Sequence, residues 1–216
     1  MKNKFIYKKH LKDGLIITNS CPENVKGLSQ LQQKVFPKLS EEEWFSESHY
    51  LKHIQTFPEG QFVILDGDKV IGMSTTMRSH LVLESHTFLE ISGNNYLTTH
   101  DPEGEWLYGL DVGVDHDYRG KGLGREIYRA RQELVRHLGL KGQITVGMIN
   151  GYYKVNDVLT QREYYNKLIN REITDPTISV QEKFGFEMHH LIEDYCDDPT
   201  CGNCGVLLIM DASQVI

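Results

Sequence analysis

The sequence predicts a mixed α/β fold, and three observations predict it. Apolar residues Leu110, Val112 and Val114 recur at a spacing of two, whereas Leu123, Ile127, Ala130, Leu134 and Leu138 recur at steps of three and four, so a strand gives way to a helix between them. Residues 62–65 and 70–73 are apolar runs flanking Asp66-Gly67-Asp68-Lys69, a hairpin signal. Further short apolar runs alternate with helical stretches along the whole chain. A length of 216 residues can bury a substantial core, and residues 1–216 are expected to form one domain.

The elements follow in order. Residues 15–19 read as a first strand, and Val25, Leu28, Leu31 and Val35 mark one face of the helix after it. Ser40-Glu41-Glu42-Glu43 is a capping-box start, which predicts a second helix carrying Trp44, Leu51 and Ile54 inward. The hairpin comes next, with another strand expected near residues 81–83. Residues 86–105 are polar and contain glycine, and are expected to form a structured loop near a ligand. Beyond the helix that starts at Leu123, residues 143–149 read as a strand. The tyrosine-rich, charged segment 151–176 is expected to be helical over 160–170. A short helix over 177–184 is stopped by Gly185, and strands at 186–192 and 206–210 close the sheet. Internal repeats and low-complexity segments are absent.

Composition narrows the function classes. The net charge of -7, without a basic face, argues against a nucleic-acid footprint. No apolar run approaches membrane-spanning length. The basic start, residues 1–9, lacks the apolar core and cleavage site of a secretory signal, so a cytoplasmic protein is expected. Of the four cysteines, Cys21 stands alone, while Cys196, Cys201 and Cys204 are spaced C-x4-C-x2-C. That trio could supply thiolates to zinc, with His189 or His190 as a fourth ligand, but one knuckle is not the paired arrangement of a zinc site. Unpaired reduced thiols are the expectation, and no bound metal.

The turn between strand and helix, Arg119-Gly120-Lys121-Gly122-Leu123-Gly124, carries the most information. Such a turn points backbone N–H groups and the positive end of a helix at one anion. Glycines at alternate positions admit a ligand close to the main chain, and Arg119 and Lys121 add charge. A phosphate-bearing ligand is the natural occupant. A Walker loop does not fit, since Arg125 follows Gly124 with no Lys-Ser/Thr pair, and no GxGxxG spacing is present.

The spacing that is present, Arg-x-x-Gly-x-Gly, resembles the acetyl-CoA pyrophosphate loop of the GNAT superfamily of N-acetyltransferases, and Val114-Asp115-His116-Asp117-Tyr118-Arg119 is similar to its approach. The order of elements is similar to the whole GNAT fold, a mixed and mostly antiparallel sheet splayed between its two central parallel strands and flanked by helices. More narrowly, the chain resembles the acetyltransferase domain that some proteins fuse to a nitrilase-type amidohydrolase. Phe57-Pro58-Glu59-Gly60-Gln61-Phe62, His86-Thr87, Thr99-His100-Asp101, Leu107-Tyr108-Gly109, Gly151-Tyr152, Asp175-Pro176-Thr177 and Glu193-Asp194-Tyr195 carry that likeness. A length of 216 residues leaves no room for a nitrilase half, so a stand-alone equivalent is expected.

The resemblance implies acetyl-CoA as cosubstrate, bound where the central strands part. Main-chain groups of Val112, Gly113 and Val114 would align the pantetheine as an added strand does. The turn of Arg119, Gly120, Lys121, Gly122, Leu123 and Gly124 would hold the pyrophosphate, with Arg125 at its edge. The implied reaction is direct acetyl transfer, in a ternary complex, to the primary amine of a small-molecule or peptide acceptor, and the superfamily raises the expectation of a homodimer.

Transfer needs a group that takes the amine's proton and donors for the developing oxyanion. Glu105, near the start of the central strand, Asp111 within it, and His100 are the catalytic candidates. Asp111 is out of phase with Leu110, Val112 and Val114 and is expected to face the other side of the sheet. His86, Tyr152 and Tyr153 are candidates for the substrate pocket, and Asp101, Asp111 and Asp194 would suit a cationic acceptor. Many members of the superfamily place an acid tyrosine four residues before the glycine of a final Gly-Phe pair; here that position is Gln181. A non-catalytic acyl-CoA-binding or sensing module is the alternative, and a zinc-stabilised interaction protein a third reading.

Overall fold

Eight strands form one sheet: β1 (Lys8–His10), β2 (Ile16–Asn19), β3 (Phe62–Asp66), β4 (Lys69–Ser79), β5 (Trp106–Val114), β6 (Gly142–Met148), β7 (Glu187–Ile192) and β8 (Gly205–Asp211), in the order β1-β2-β3-β4-β5-β6-β8-β7. This computed structural model describes residues 5–216; Met1, Lys2, Asn3 and Lys4, the first part of the basic start, lie outside the described residues. Neighbouring strands are antiparallel except β5 and β6, which are parallel. The helices are α1 (Val25–Val35), α2 (Glu47–Thr56), α3 (Phe88–Ser92), α4 (Leu123–Leu138), α5 (Gln161–Ile169) and α6 (Ile178–Lys183). No helix among the described residues is long and apolar enough to cross a membrane.

Two helical layers cover the sheet. Ile127, Ala130 and Leu134 of α4 pack with Ile17, Phe62, Ile64 and Leu107 on one face. Leu28 and Leu31 of α1 and Tyr50 of α2 pack with Val63, Met73, Met77 and Tyr108 on the other. Burying these side chains is the main source of the fold's stability.

Several expected elements differ from those observed. The second helix starts at Glu47, capped by the Ser46 hydroxyl, which accepts the His49 N–H at 3.3 Å; Glu41–Glu43 make only a 3-10 turn. Glu43 is committed elsewhere, because its carboxylate accepts the Asp197 N–H at 2.9 and 3.1 Å. The later start changes the helical phase, so Tyr50 and His53 are buried and Leu51 is 38% exposed. No strand forms at residues 81–83, where Leu81 and Leu83 are exposed. The segment 86–105 contains α3, held by a reciprocal cap between Thr87 and Glu90. Strand β1, too short to show a period, was not foreseen.

The sheet opens at its centre. Pairing between β5 and β6 runs only from Trp106↔Gly142 to Gly109↔Thr145, while β4 stays paired with β5 to Val114 and β8 with β6 to Met148. The break coincides with a β-bulge: Thr75 faces Asp111 and Thr76 faces Gly109, leaving Leu110 as the extra residue. The bulge also shifts the phase of the strand. Leu110 and Asp111 both face the α1–α2 side, the first in its core cluster and the second beside Tyr50. The expected opposition of Asp111 to Leu110 is therefore wrong, and only its opposition to Val112 and Val114 holds.

Candidate functional site

A cavity of ≈ 750 Å³ occupies the opening between β5 and β6. Leu110, Asp111, Val112, Gly113 and Val114 form one wall, and Thr145, Val146, Gly147 and Met148 the other. Beyond Gly109 the β6-side edge of β5 has no partner strand, so its main chain is free to pair with an extended ligand. Gly113 is required by packing, because a side chain there would strike Met73 and Val35.

The turn Arg119–Gly124 meets this cavity at Arg119. Asp115, buried, fixes the approach: it lies 2.6 Å from Lys34 Nζ and accepts the Asp117 N–H at 3.1 Å. Gly120 and Gly122 have φ of +78° and +77°, a region that favours glycine. Gly122 caps α4, whose first main-chain bond runs from Glu126 N–H to Gly122 C=O. The amides of Leu123, Gly124 and Arg125 therefore have no acceptor among the described residues. A Cβ on Gly120, Gly122 or Gly124 would meet no atom within 4 Å, so the space outside the turn is open. Arg119 lines the cavity, and its guanidinium has no ion-pair partner among the described residues. Lys121 is drawn outward to Asp13 at 3.3 Å, and Arg125 lies 5.4 Å from the Phe184 ring.

The opening passes through the sheet, so groups from both faces line it. From the α4 side come Tyr128 and Gln181; Gln181 Nε2 donates to Tyr128 Oη at 2.8 Å. Gln181 reaches this place because Gly147 has no side chain to block its Oε1, which is buried without a partner. Arg131, fully buried, donates through Nε to Ser74 Oγ at 2.7 Å and through Nη2 to the Asp111 carbonyl. From the α1–α2 side comes Asp111, whose Oδ1 accepts the Thr75 N–H at 2.5 Å and whose Oδ2 accepts from Tyr50 Oη at 3.4 Å. Burial pushes its carboxyl above the usual range, against the opposing pull of the Thr75 N–H, Arg131 and Tyr50.

The other sequence candidates are not brought together with these. Glu105 is exposed at the far end of β5 and pairs with Lys141 at 2.7 Å, which lowers its pKa. His100 stacks on Phe57, its Nδ1 accepts the Arg78 N–H at 3.1 Å, and it does not line the cavity. His86 is tied up too: Nδ1 donates to the Glu84 carbonyl at 2.8 Å, and Nε2 accepts from Tyr108 Oη at 2.7 Å. Tyr152 is a packing residue bonded to the Leu159 carbonyl at 3.0 Å, whereas Tyr153 is exposed and does line the cavity. Asp101 and Asp194 lie outside the cavity wall, whereas Asp111 and Asp198 line it.

The cysteine trio is buried and reduced, with Cys196 Sγ 3.8 Å from Cys201 Sγ. Among the described residues no group of three or more His, Cys, Asp and Glu is arranged to hold a metal ion. Burial pushes the Cys204 thiol up to about 11, so it rests protonated.

Sequence reasoning missed Tyr128, Thr145 and Asn150 in the cavity wall, and Phe36 and Leu39 from the segment between α1 and α2. Tyr128 carried one usable signal: it is out of step with the apolar stripe Leu123, Ile127, Ala130 and Leu134 of its helix, yet is aromatic.

Residues 25–152 match the model of the acetyltransferase (GNAT) family. The chain is 32% identical over 188 residues to the probable hydrolase YhcX of Bacillus subtilis (strain 168), a match covering 86% of this chain and 36% of that protein. It thus spans about a third of YhcX (36%). It is 27% identical over 211 residues to the uncharacterized N-acetyltransferase YkwB of the same organism, covering 96% of this chain and 93% of that one. Among solved structures, the fold is similar to the loading GNATL domain of CurA from Lyngbya majuscula, with a TM-score of 0.78 at 19% identity over 92% of this chain and 98% of that one. The GphF GNAT-like decarboxylase in complex with isobutyryl-CoA gives 0.76 at 21% identity over 91% and 98%. At these identities the two structures show a shared fold.

Proposed function

The chain belongs to the acetyltransferase (GNAT) family, and from that premise we propose that it moves an acetyl group from acetyl-CoA directly to the primary amine of a small-molecule or peptide acceptor within one ternary complex. One observation carries the reading: the unpaired edge of β5 lines a cavity that Arg119 also lines, and Arg119 opens the turn that leads to the unbonded amides at the head of α4. An extended pantetheine suits the first, and a pyrophosphate suits the second. Val112, Gly113 and Val114 would pair with the pantetheine amides, Gly120, Gly122, Leu123 and Gly124 would donate N–H groups to the pyrophosphate, and Arg119 and Arg125 would add charge. The bound donor supplies an activated acyl carbon as a thioester.

The chain's own groups would do the rest. Asp111 is the only one of the three expected catalytic candidates in the cavity wall, and its raised carboxyl pKa brings it nearer to the working range of a base. The apolar lining from Phe36, Leu39 and Phe88 would exclude water and hold an acceptor with an apolar body. The partial match to YhcX supports reading the chain as equivalent to the acetyltransferase part of a longer protein. A homodimer remains an expectation that sedimentation checks.

Incubation with acetyl-CoA and panels of amines, following free CoA thiol, tests the proposal. Thiol release that depends on one amine class is the expected result. Tight acetyl-CoA binding with no release on any amine would instead identify an acyl-CoA-binding module. Including isobutyryl-CoA and other longer donors reads out how much of the ≈ 750 Å³ serves the acyl group.

A further inference from the structure

We propose that the acceptor amine carries a second cationic group and that Asp198 is the specificity residue that holds it; the inference rests on the acyl-transfer reading above. Asp198 is 4% exposed and lines the cavity. Its Oδ1 is taken up by the chain, accepting the Thr200 N–H at 2.8 Å and the Thr200 hydroxyl at 2.5 Å. Its Oδ2 has no hydrogen-bond partner, and its carboxylate no ion pair, among the described residues. A buried carboxylate without a cation is costly, so a cation brought into the cavity by the acceptor would compensate it.

The segment that carries Asp198 is tied to the α1–α2 side of the sheet. Ser40 N–H donates to the Asp197 carbonyl at 2.9 Å, and Phe88 N–H to the Tyr195 carbonyl at 2.6 Å. Asp198 thus stands on the side of the opening that Asp111 faces. Phe36, Leu39 and Phe88 supply the apolar wall there. Glu43, 5% exposed, adds a further carboxylate behind the segment, on the Asp197 N–H. Burial raises the Glu43 carboxyl against the pull of that N–H, and the charges of Asp197 and Asp198 add to the rise. The cationic residues of the cavity wall are Lys38, exposed on the linker, and Arg119, which opens the glycine turn. Neither pairs with a carboxylate among the described residues, so this end of the cavity keeps its negative charge.

An aliphatic diamine meets these demands together. Its reacting nitrogen gives up a proton beside Asp111, its methylene spacer lies on the apolar wall, and its far ammonium is held by Asp198 through a charge-assisted hydrogen bond. The same charge sets the product. Once one end is acetylated, turning the molecule round would place a neutral acetamide on Asp198 and leave the carboxylate without its cation. Transfer therefore stops at the mono-acetyl diamine.

Putrescine and cadaverine, compared with n-butylamine and n-pentylamine as acceptors for the full chain, test this. Wild type should favour each diamine over its matched monoamine in kcat/KM by on the order of 10-fold or more, and mass spectrometry should show the mono-acetyl product. Asp198→Asn keeps an oxygen for Thr200 and removes the charge, so it separates the turn's cap from the binding role. It should raise the KM for the diamines on the order of 10-fold with kcat kept, and leave the monoamines within about twofold. Equal kcat/KM for diamine and monoamine, a loss shared by both in the variant, or accumulation of the diacetyl product would each overturn the inference and leave the transfer reading intact. Absence of turnover with every amine would overturn the transfer reading, and calorimetry of putrescine with the CoA-loaded chain would still decide the role of Asp198. Binding that Asp198→Asn abolishes would support that role; no binding, or binding unchanged by the substitution, would overturn it.

Discussion

The buried guanidinium of Arg131 fills the space that a side chain at Gly109 would need: a Cβ there would collide with Nη1. From that space it bonds the Ser74 hydroxyl and the carbonyls of Thr75 and Asp111, spanning the strands on either side of the bulge. Gly109 and Arg131 together therefore hold the point where the sheet begins to open. Gly109→Ala should displace the guanidinium and destabilise the fold by about 2–3 kcal/mol, through overpacking and a buried charge deprived of acceptors. Guanidinium chloride unfolding checks this, and a midpoint equal to wild type would contradict it.

The glycine turn separates backbone need from ligand access. Gly122, at φ +77°, should lose about 1–2 kcal/mol of stability on substitution by alanine. Gly124 has no positive φ and no neighbour within 4 Å, so Gly124→Ala should leave stability unchanged. Gly122→Asp and Gly124→Asp should abolish CoA binding, because a carboxylate would stand where the pyrophosphate is expected. Calorimetry showing wild-type CoA affinity in the two aspartate variants would sink the site assignment.

As the proposed base, Asp111 would set a pH dependence. A base works only when deprotonated, so kcat/KM should fall as pH drops through a carboxyl pKa that burial has raised. Asp111→Asn should lower kcat on the order of 10²-fold and erase that acid limb. The stability sign runs opposite to that of a salt-bridged carboxylate: with the folded pKa raised, the contribution of Asp111 is present at low pH and is lost as pH rises through the folded value. Asp111→Asn should therefore show a flatter stability profile over that range, measured by unfolding at several pH values.

His53 gives a second pH signature, unrelated to chemistry. Its ring is fully buried, Nε2 donates to the Asn95 carbonyl at 2.6 Å, and Nδ1 has no partner. Burial pulls its pKa down to about 4, against an ordinary value of 6.5. Its neutral form is the folded one, so stability present above pH ~6.5 is lost as pH falls toward ~4, by about 3 kcal/mol at most. His53→Gln, which keeps a donor for Asn95, should flatten that loss in pH-dependent thermal unfolding.

The elements with strong periodicity were legible. Helix α4 and the β3–β4 hairpin stand where the apolar spacing puts them, because burial of one face rewards a matching period. The glycine turn was legible for a local reason, since positive φ and close approach both demand glycine. The start of α2 was not. Glu43, which looked like a cap, is held by the main chain of Asp197, and nothing local to residues 40–43 could reveal a partner so distant in sequence. Glu105, His100 and His86 failed as site residues in the same way: polarity and position along the chain could not show that Lys141, Arg78 and Tyr108 already engage them.

By itself the sequence determined the fold class, the family likeness and the turn that suits a pyrophosphate, because these depend on period, φ and spacing over a few residues. Tertiary structure alone decided which faces Asp111 and Tyr128 present to the opening. One extra residue at Leu110 reverses the side of a strand, and Gly147, far from Gln181 in sequence, makes the space that lets it reach Tyr128. Side-chain direction in a bulged strand and contacts between distant elements are set by packing, and packing is a property of the assembled chain.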